Sequence, residues 1–141
     1  MKIRKPNDFH HHLRDNDFLS LTVPYCFSNF KNVIIMPNLA PPITTIKQAM
    51  EYRERILNLD KYFGNPMMTL YFSKNLTQED LKKFKENPFM YGIKYYPKNA
   101  TTNSNFGIQD IKDVFYILKI MEEDAIPLLI HGESIKFNVD I

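Results

Sequence analysis

The chain has little of several residue types, and each shortage excludes a class of protein. It has one cysteine, Cys26, so no internal disulfide can form, and we expect a reducing, cytoplasmic location. No apolar run approaches the roughly 20 residues that a membrane-spanning helix needs. The 18 basic and 16 acidic residues are interspersed and give a net charge of +2. Without a basic block, neither nucleic acid nor an anionic membrane is indicated as a partner.

What remains is the composition of an ordinary globular protein, with 44% hydrophobic and 24% charged residues. We expect residues 1–141 to form a single domain with a hydrophobic core. Short apolar runs alternate with stretches of helical spacing. The predicted strands are 9–15, 32–36, 67–72, 89–96 and 127–131. The predicted helices are 17–27, 46–59, a short helix after Thr77, and one at 111–121.

Local signals mark the ends of these helices. Thr45 with Gln48 fits a capping box, and Thr77 is placed to cap the third helix. Pro24 is expected to kink the first helix or to end it early, because proline has no N–H to donate within a helix.

Strands that alternate with helices predict right-handed crossovers and a parallel sheet. In open sheets and closed barrels alike, functional residues lie at the carboxyl ends of the strands. Five residues with metal-ligand or anion-binding chemistry fall at or near those ends: His10, His12, Asn38, Lys94 and His131. Their convergence on one edge of the sheet is a stronger signal than any one of them, and it indicates a metal-assisted site.

The first predicted strand carries three consecutive histidines, His10, His11 and His12. Side chains alternate along a strand, so His10, His12 and Arg14 are expected on one face and His11 on the other. Two neutral imidazoles at this spacing can hold one ion of zinc or a neighbouring transition metal, with a cation beyond them for an anionic substrate. The alternatives are a solvated histidine-rich tract or a tag remnant. The shortness of the run and its embedded position disfavour a tag.

Lys94 lies in a predicted strand with little other polarity. Burial lowers the pKa of an ammonium group, so a buried lysine can be a neutral, nucleophilic amine. Such an amine can add carbon dioxide to give a carbamate, whose two oxygens can bridge two cations. The alternative is a lysine that extends to solvent or pairs with a carboxylate, which is the commoner situation for a single strand lysine.

The other candidates are each open to two interpretations. His131 is a metal ligand or a hydrogen-bonded core histidine, and Asn38 binds substrate or holds the turn after the second strand. The polar segment 98–107, with Thr101 and Thr102, is long for a strand-to-helix connection. It is a surface loop or a lid over the site.

Several motifs resemble those of one enzyme family. Segment 9–15 (FHHHLRD) resembles the HxHLRD signature of the amidohydrolase superfamily, and the whole chain more closely resembles bacterial dihydroorotases of the shorter, class II type. The other matching segments are 23–25 (VPY), 36–42 (MPNLAPP), 94–104 (KYYPKNATTNS) and 127–133 (PLLIHGE). They cover essentially the whole chain in the family's order. His11 is a departure, since the family usually has an apolar residue there.

The resemblance implies an α/β fold, the N-terminal part of a (β/α)8 barrel with about five βα units. It implies a zinc-dependent cyclic amide hydrolase that interconverts L-dihydroorotate and N-carbamoyl-L-aspartate in de novo pyrimidine biosynthesis. The implied partner is this small-molecule substrate, and we expect the full-length form to be a homodimer.

Site residues are implied in the same way. Two zinc ions would share a bridging, N-carboxylated Lys94, with His10 and His12 on the first ion and His131 on the second. The implied substrate-binding residues are Arg14 and Asn38, which would hold the substrate carboxylate, and Thr101 and Thr102, which would lie on a mobile loop that closes over the substrate.

A full barrel needs eight strands and about 250 residues. We therefore expect this chain to be an N-terminal portion that stops after the fifth strand, lacks the proton-shuttling aspartate and is inactive alone. A hydantoinase or allantoinase relative would share the metal ligands, but the Asn38 segment and the threonine loop favour dihydroorotase. A non-catalytic dihydroorotase-like subunit that assembles with aspartate transcarbamoylase is the other alternative. The retained metal ligands argue against it.

Overall fold

A computed structural model describes residues 3–133, in which five parallel strands form one sheet in the order β1-β2-β3-β4-β5. The strands are β1 (Asp8–His11), β2 (Asn32–Ile35), β3 (Asn65–Tyr71), β4 (Met90–Tyr95) and β5 (Leu128–Ile130). Each strand pairs with the strand before it in the chain. The result is a half-barrel of α/β type, as the alternating pattern predicts.

Helices make the connections between the strands. They are α1 (Leu19–Asn29), α2 (Ile46–Leu59), α3 (Gln78–Glu86) and α4 (Phe115–Glu123). Single 3-10 turns, Asn16–Phe18 and Ile111–Val114, lead into α1 and α4. Both predicted caps are confirmed: Thr45 with Gln48 and Thr77 with Asp80 form complete capping boxes. None of the helices in residues 3–133 combines the length and apolarity that crossing a membrane would require.

The helices bury one apolar face each against the sheet. On the sheet, Val33, Leu70 and Ile93 are fully buried. The helix residues that join them in one hydrophobic cluster are Val23, Phe27, Ala49, Tyr52, Ile56, Leu81, Phe84, Ile117 and Met121. Full burial of each large aliphatic or aromatic side chain contributes about 1.5–3 kcal/mol. This cluster fixes the sheet and so fixes the strand ends that carry the site.

Pro24 does not end the first helix. It lies inside α1, which continues to Asn29. Proline removes one backbone donor, but Val23, Cys26 and Phe27 are buried on the sheet side and anchor the helix on both sides of it. Tertiary packing therefore outweighs the local breaker.

The first strand is shorter than predicted. β1 ends at His11, which is paired with Ile35, the last residue of β2. Beyond that pair the ladder has no partner, and Arg14 takes a left-handed conformation with φ 63°. The expectation that His10, His12 and Arg14 share one face of a continuous strand is therefore wrong for Arg14. The other strand boundaries lie within two residues of their predicted positions.

Candidate metal centre

His10 and His12 meet at the carboxyl end of β1. Their Nε2 atoms are 3.3 Å apart, and their ring centroids are 5.2 Å apart. The pKa of His12 is lowered to about 4, first by partial loss of solvation of the ring and then by the charges of His10 and Arg14. Burial, followed by the charge of Lys94, also lowers the pKa of His10. Both imidazoles are thus held neutral, which is the form that binds a metal ion.

Lys94 is buried in the middle of the sheet, with 1% of its surface exposed. It pairs across the ladder with Tyr71, and its Nζ donates to the carbonyl oxygen of Ile130 at 3.1 Å. Burial lowers its pKa. In residues 3–133, no carboxylate lies within 4.0 Å of its Nζ. The lysine neither extends to solvent nor makes an ion pair there, so both ordinary interpretations are excluded for the described part of the chain.

His131 follows β5, and its backbone N–H donates to the carbonyl oxygen of Tyr95 at 3.0 Å. Its Nε2 lies 2.7 Å from Oε2 of Glu133. The charge of His131 contributes to the lowered pKa of His10, which places the two rings in the same electrostatic environment. Glu133 is a neighbour that the sequence pattern did not single out, because a carboxylate two residues after a strand carries no signal of its own.

Asn38 is 3% exposed and contacts the polar loop of residues 98–107. Its Nδ2 donates to the carbonyl oxygen of Thr102 at 3.0 Å, and Nδ2 of Asn103 donates to the carbonyl oxygen of Asn38 at 2.9 Å. Within the loop, the Thr101 N–H donates to Oγ of Ser104 at 2.9 Å. The structure thus brings Asn38 into contact with Thr102 and Asn103, while Thr101 bonds within the loop. Asn103 was missed from the sequence, where it is one of many loop asparagines.

Arg14 lies beside His12, and its exposed guanidinium is among the charges that lower the pKa of His12. Its backbone carbonyl accepts a hydrogen bond from the hydroxyl of Tyr52, which holds the segment after β1 against α2. Asp15 pairs with Arg55, with 2.7 Å between Oδ2 and Nη2. These two contacts with α2 keep Arg14 at the edge of the site although the strand has ended.

His11 points away from the other two histidines. Its Nδ1 lies 2.7 Å from Oδ2 of Asp8, while the other Asp8 oxygen accepts the N–H of His10 at 2.9 Å. The ring also lies 6.2 Å from that of Phe30. His11 is therefore a hydrogen-bonded packing residue, separate from the His10–His12 pair.

The donor set suits a metal ion only if Lys94 contributes to it. In residues 3–133, no group of three or more histidine, cysteine, aspartate or glutamate side chains is close enough to hold one. Two converging neutral imidazoles and a buried amine are present, and the buried hydroxyl of Tyr96 beside them has no hydrogen-bond partner in that range. An anionic carbamate on Lys94 would supply the missing oxygen ligands, so the residues fit a zinc ion bound in that way.

A separate cavity of about 640 Å³ opens beside the same loop. Thr44, Tyr71 and Lys98 are among its lining residues, and none of the predicted site residues lines it. The cavity is thus distinct from the candidate metal centre.

Known proteins similar in sequence to this chain match it over its whole length. No model of a known protein family matches it. It is 42% identical over 144 residues to the dihydroorotase of Acaryochloris marina, which covers all of this chain and 41% of that protein. It is 44% identical over 141 residues to the dihydroorotase of Hahella chejuensis, covering 99% of this chain and 41% of the relative. The chain thus spans about two fifths of the length of the curated relatives it matches, at their N-terminal end.

Solved structures of dihydroorotases are similar to this chain in fold as well. Dihydroorotase from Campylobacter jejuni has a TM-score of 0.86 and 40% identity, covering 94% of this chain and 39% of that one. Dihydroorotase from Saccharomyces cerevisiae, solved in complex with 5-fluoroorotic acid, has a TM-score of 0.86 and 31% identity over 96% of this chain and 38% of that one. L-hydantoinase from Arthrobacter aurescens matches at a TM-score of 0.70 with 16% identity, over 92% of this chain and 29% of that one, which is a likeness of fold alone.

Proposed function

We propose that this chain, a homologue of the N-terminal part of dihydroorotases, supplies the first half of the active site of a zinc-dependent dihydroorotase. The reaction would interconvert L-dihydroorotate and N-carbamoyl-L-aspartate in pyrimidine biosynthesis. One observation carries the proposal: His10 and His12 converge to 3.3 Å beside the buried Lys94 in a chain that is 40–44% identical to dihydroorotases. These relatives are hydrolases.

In this proposal, His10 and His12 would hold the first zinc ion and His131 the second, and a carboxylated Lys94 would contribute to both. The uncharged form of Lys94, which burial favours, would attack the carbon of carbon dioxide. An N–C bond forms as the electron pair of one C=O π bond moves to oxygen, and one proton leaves the nitrogen for solvent. The carbamate that results is anionic and carries two oxygens, which suit bridging of two cations. When bound, the zinc ions supply Lewis-acid activation of the amide carbonyl and of water.

Substrate recognition falls to residues around this centre. The Arg14 guanidinium offers a two-pronged donor for the substrate carboxylate, and the Asn38 amide offers another donor. Thr101 and Thr102 would close over the substrate with their loop. Because the Asn38 amide donates to Thr102 in the structure, substrate binding would exchange that contact for one with the substrate carboxylate.

The chain supplies only part of the chemistry. The resemblance assigns a proton-shuttling aspartate, a further zinc-binding histidine and a further substrate-binding histidine to strands later than β5. We propose that this chain works only with those strands, and that the assembled enzyme is a cytoplasmic homodimer. The Asn38 contact with the threonine loop supports dihydroorotase over a hydantoinase, and the retained histidines and lysine support an enzyme over a non-catalytic subunit.

The test is a chimera in which residues 1–133 replace the matching part of the Campylobacter jejuni dihydroorotase. The assay measures hydrolysis of L-dihydroorotate and of a hydantoin by the zinc-loaded chimera, with the 141-residue chain alone as the control. We expect hydrolysis of L-dihydroorotate by the chimera and background turnover by the chain alone. A folded, zinc-loaded chimera that hydrolyses only the hydantoin, or neither compound, would overturn the proposal.

A further inference from the structure

Tyr96 is the residue of the site region whose chemistry the proposed function does not yet use. It directly follows β4, its side chain is 1% exposed, and its ring stacks on that of Tyr71 with 4.9 Å between centroids. Its hydroxyl is buried and, in residues 3–133, has no hydrogen-bond partner. A phenylalanine would fill the same space without this cost, so an unpaired buried hydroxyl needs an explanation.

The neighbours of the Tyr96 ring indicate which group its hydroxyl could bond. Residues two apart on an extended strand share a face, which puts Tyr96 on the face of Lys94. The Lys94 Nζ lies 5.5 Å from the centre of the Tyr96 ring, and the ring of His131 lies 6.1 Å from it. The Tyr96 ring is therefore near both the proposed bridging lysine and a proposed ligand of the second zinc ion.

The stacked neighbour gives a contrast. The hydroxyl of Tyr71 has a partner, since it donates to the carbonyl oxygen of Asn103 at 3.3 Å. The two stacked tyrosines thus differ in hydrogen bonding. Within residues 3–133, the Tyr71 hydroxyl has a backbone partner and the Tyr96 hydroxyl has none. A tyrosine hydroxyl is a hydrogen-bond donor as well as an acceptor, so the Tyr96 hydroxyl can donate.

We infer that Tyr96 is a positioning residue whose hydroxyl donates a hydrogen bond to the anionic carbamate carried by Lys94 in the zinc-loaded site. This inference rests on the proposed function. A carbamate adds two negatively charged oxygens to Nζ on the face that Tyr96 shares, where a neutral donor lowers the cost of burying that charge. Tyr96 would then fix the plane of the carbamate, and with it the directions in which the two oxygens present lone pairs to the cations.

The experiment compares the chimera of wild-type sequence with its Tyr96→Phe variant, using zinc titration, ¹³C NMR after addition of ¹³C-labelled bicarbonate, and melting temperature without zinc. We expect Tyr96→Phe to weaken zinc binding about tenfold and to lower the carbamate signal, because the lost bond is to a charged group. The melting temperature without zinc should stay the same or rise, since the apo protein loses no bond. A merely structural hydroxyl would show the opposite pattern, with a lower melting temperature and unchanged zinc affinity.

Two further variants make the test specific. Tyr71→Phe removes a neighbouring buried hydroxyl from the same stack and should leave zinc affinity unchanged within about twofold. On a Lys94→Met background, which cannot form a carbamate, Tyr96→Phe should have no further effect on zinc binding. An equal effect of Tyr96→Phe with and without the lysine would overturn the inference while leaving the zinc site intact. A zinc-treated chimera of wild-type sequence with neither zinc nor carbamate would instead overturn the proposed function and the inference together.

Discussion

The side-chain amide of Asn38 donates a hydrogen bond to the main-chain carbonyl of Thr102, 64 residues further along the chain, at 3.0 Å. Asn103 returns the contact by donating to the Asn38 carbonyl at 2.9 Å. The two bonds dock the loop of residues 98–107 on the turn after β2. The group proposed to bind the substrate carboxylate is therefore the group that holds the loop.

Weakening this docking should loosen the loop without disturbing the sheet. Asn103→Ala removes one of the two bonds, which contributes about 0.5–1.5 kcal/mol, so the loop should open roughly two- to tenfold more often. Hydrogen–deuterium exchange of loop amides 98–107 measures this opening. Asn105→Ala is the control, because the Asn105 side chain makes no hydrogen bond within residues 3–133. Equal exchange in both variants would show that the Asn103 bond does not hold the loop.

Lys94→Ala should remove the bridge between the proposed zinc ions. We expect zinc affinity to fall at least tenfold, and a short-chain carboxylic acid such as acetate to restore part of it by occupying the space of the carbamate. Metal analysis after dialysis measures both effects. Lys98→Ala, a nearby lysine outside the proposed site, should retain the zinc of the wild type. Electron density for an unmodified Lys94 beside two well-occupied zinc ions would contradict the assignment.

Arg14→Met tests substrate binding separately from metal binding. Losing a charge-assisted contact with the substrate carboxylate should lower kcat/KM of the chimera by roughly two orders of magnitude, while its zinc content stays at the wild-type level. Arginine and methionine both have a Cβ atom, so each bears the same strain at the positive φ of position 14, and the substitution adds none. Arg53→Met, on α2, is the matched control and should retain activity. Loss of zinc in Arg14→Met would place the arginine in the metal site or in folding instead.

Asp80 gives the stability of α3 a defined pH dependence. Hydrogen bonds from the side chain and the backbone N–H of Thr77 lower its pKa below the ordinary 3.8. A carboxylate with a lowered pKa in the folded state stabilises the fold above 3.8, and the contribution disappears as the pH falls through the lowered value. Asp80→Asn should therefore unfold at lower urea concentration at pH 7, and the difference should shrink as the pH falls from 4 to 2. Circular dichroism measures both.

Glu79→Gln is the control for this experiment. Glu79 neighbours Asp80 in the first turn of α3, but within residues 3–133 its only ion pair is with exposed Lys83, at 3.4 Å. Exposed pairs contribute little, so this variant should unfold close to the wild type at both pH values. A difference between wild type and Asp80→Asn that persists at pH 2 would show that the carboxylate charge is not its cause.

The sequence predicts elements well where a local signal and the hydrophobic pattern agree. The two capping boxes and the alternation of strands with helices are of this kind. Pro24 and Arg14 show where local reasoning is insufficient. A helix continues through Pro24 because buried neighbours hold it, and the first strand stops before Arg14 because its partner strand has ended. Neither cause is visible in the residues themselves, since both depend on neighbours far along the chain.

The site also contains residues that the sequence can select and residues that it cannot. Residue type and strand position suffice to select His10, His12 and Lys94 as candidates, and the structure brings the two imidazoles within 3.3 Å of each other. Asn103, Glu133 and Tyr96 could not be selected, because their importance comes from a single long-range contact or from a missing one. Such contacts depend on loop conformation and on packing, for which sequence periodicity gives no information.

The pairing order of the sheet determines the order in which the site is assembled during synthesis. Each strand leaves the ribosome after the strand it pairs with, so the sheet can grow by one βα unit at a time on a surface that already exists. His10 and His12 emerge first, Lys94 arrives with the fourth strand, and His131 follows the fifth. Under the proposed function, the nascent chain would therefore carry the histidine pair long before the bridging lysine, and tight zinc binding would wait until most of the supporting sheet is in place.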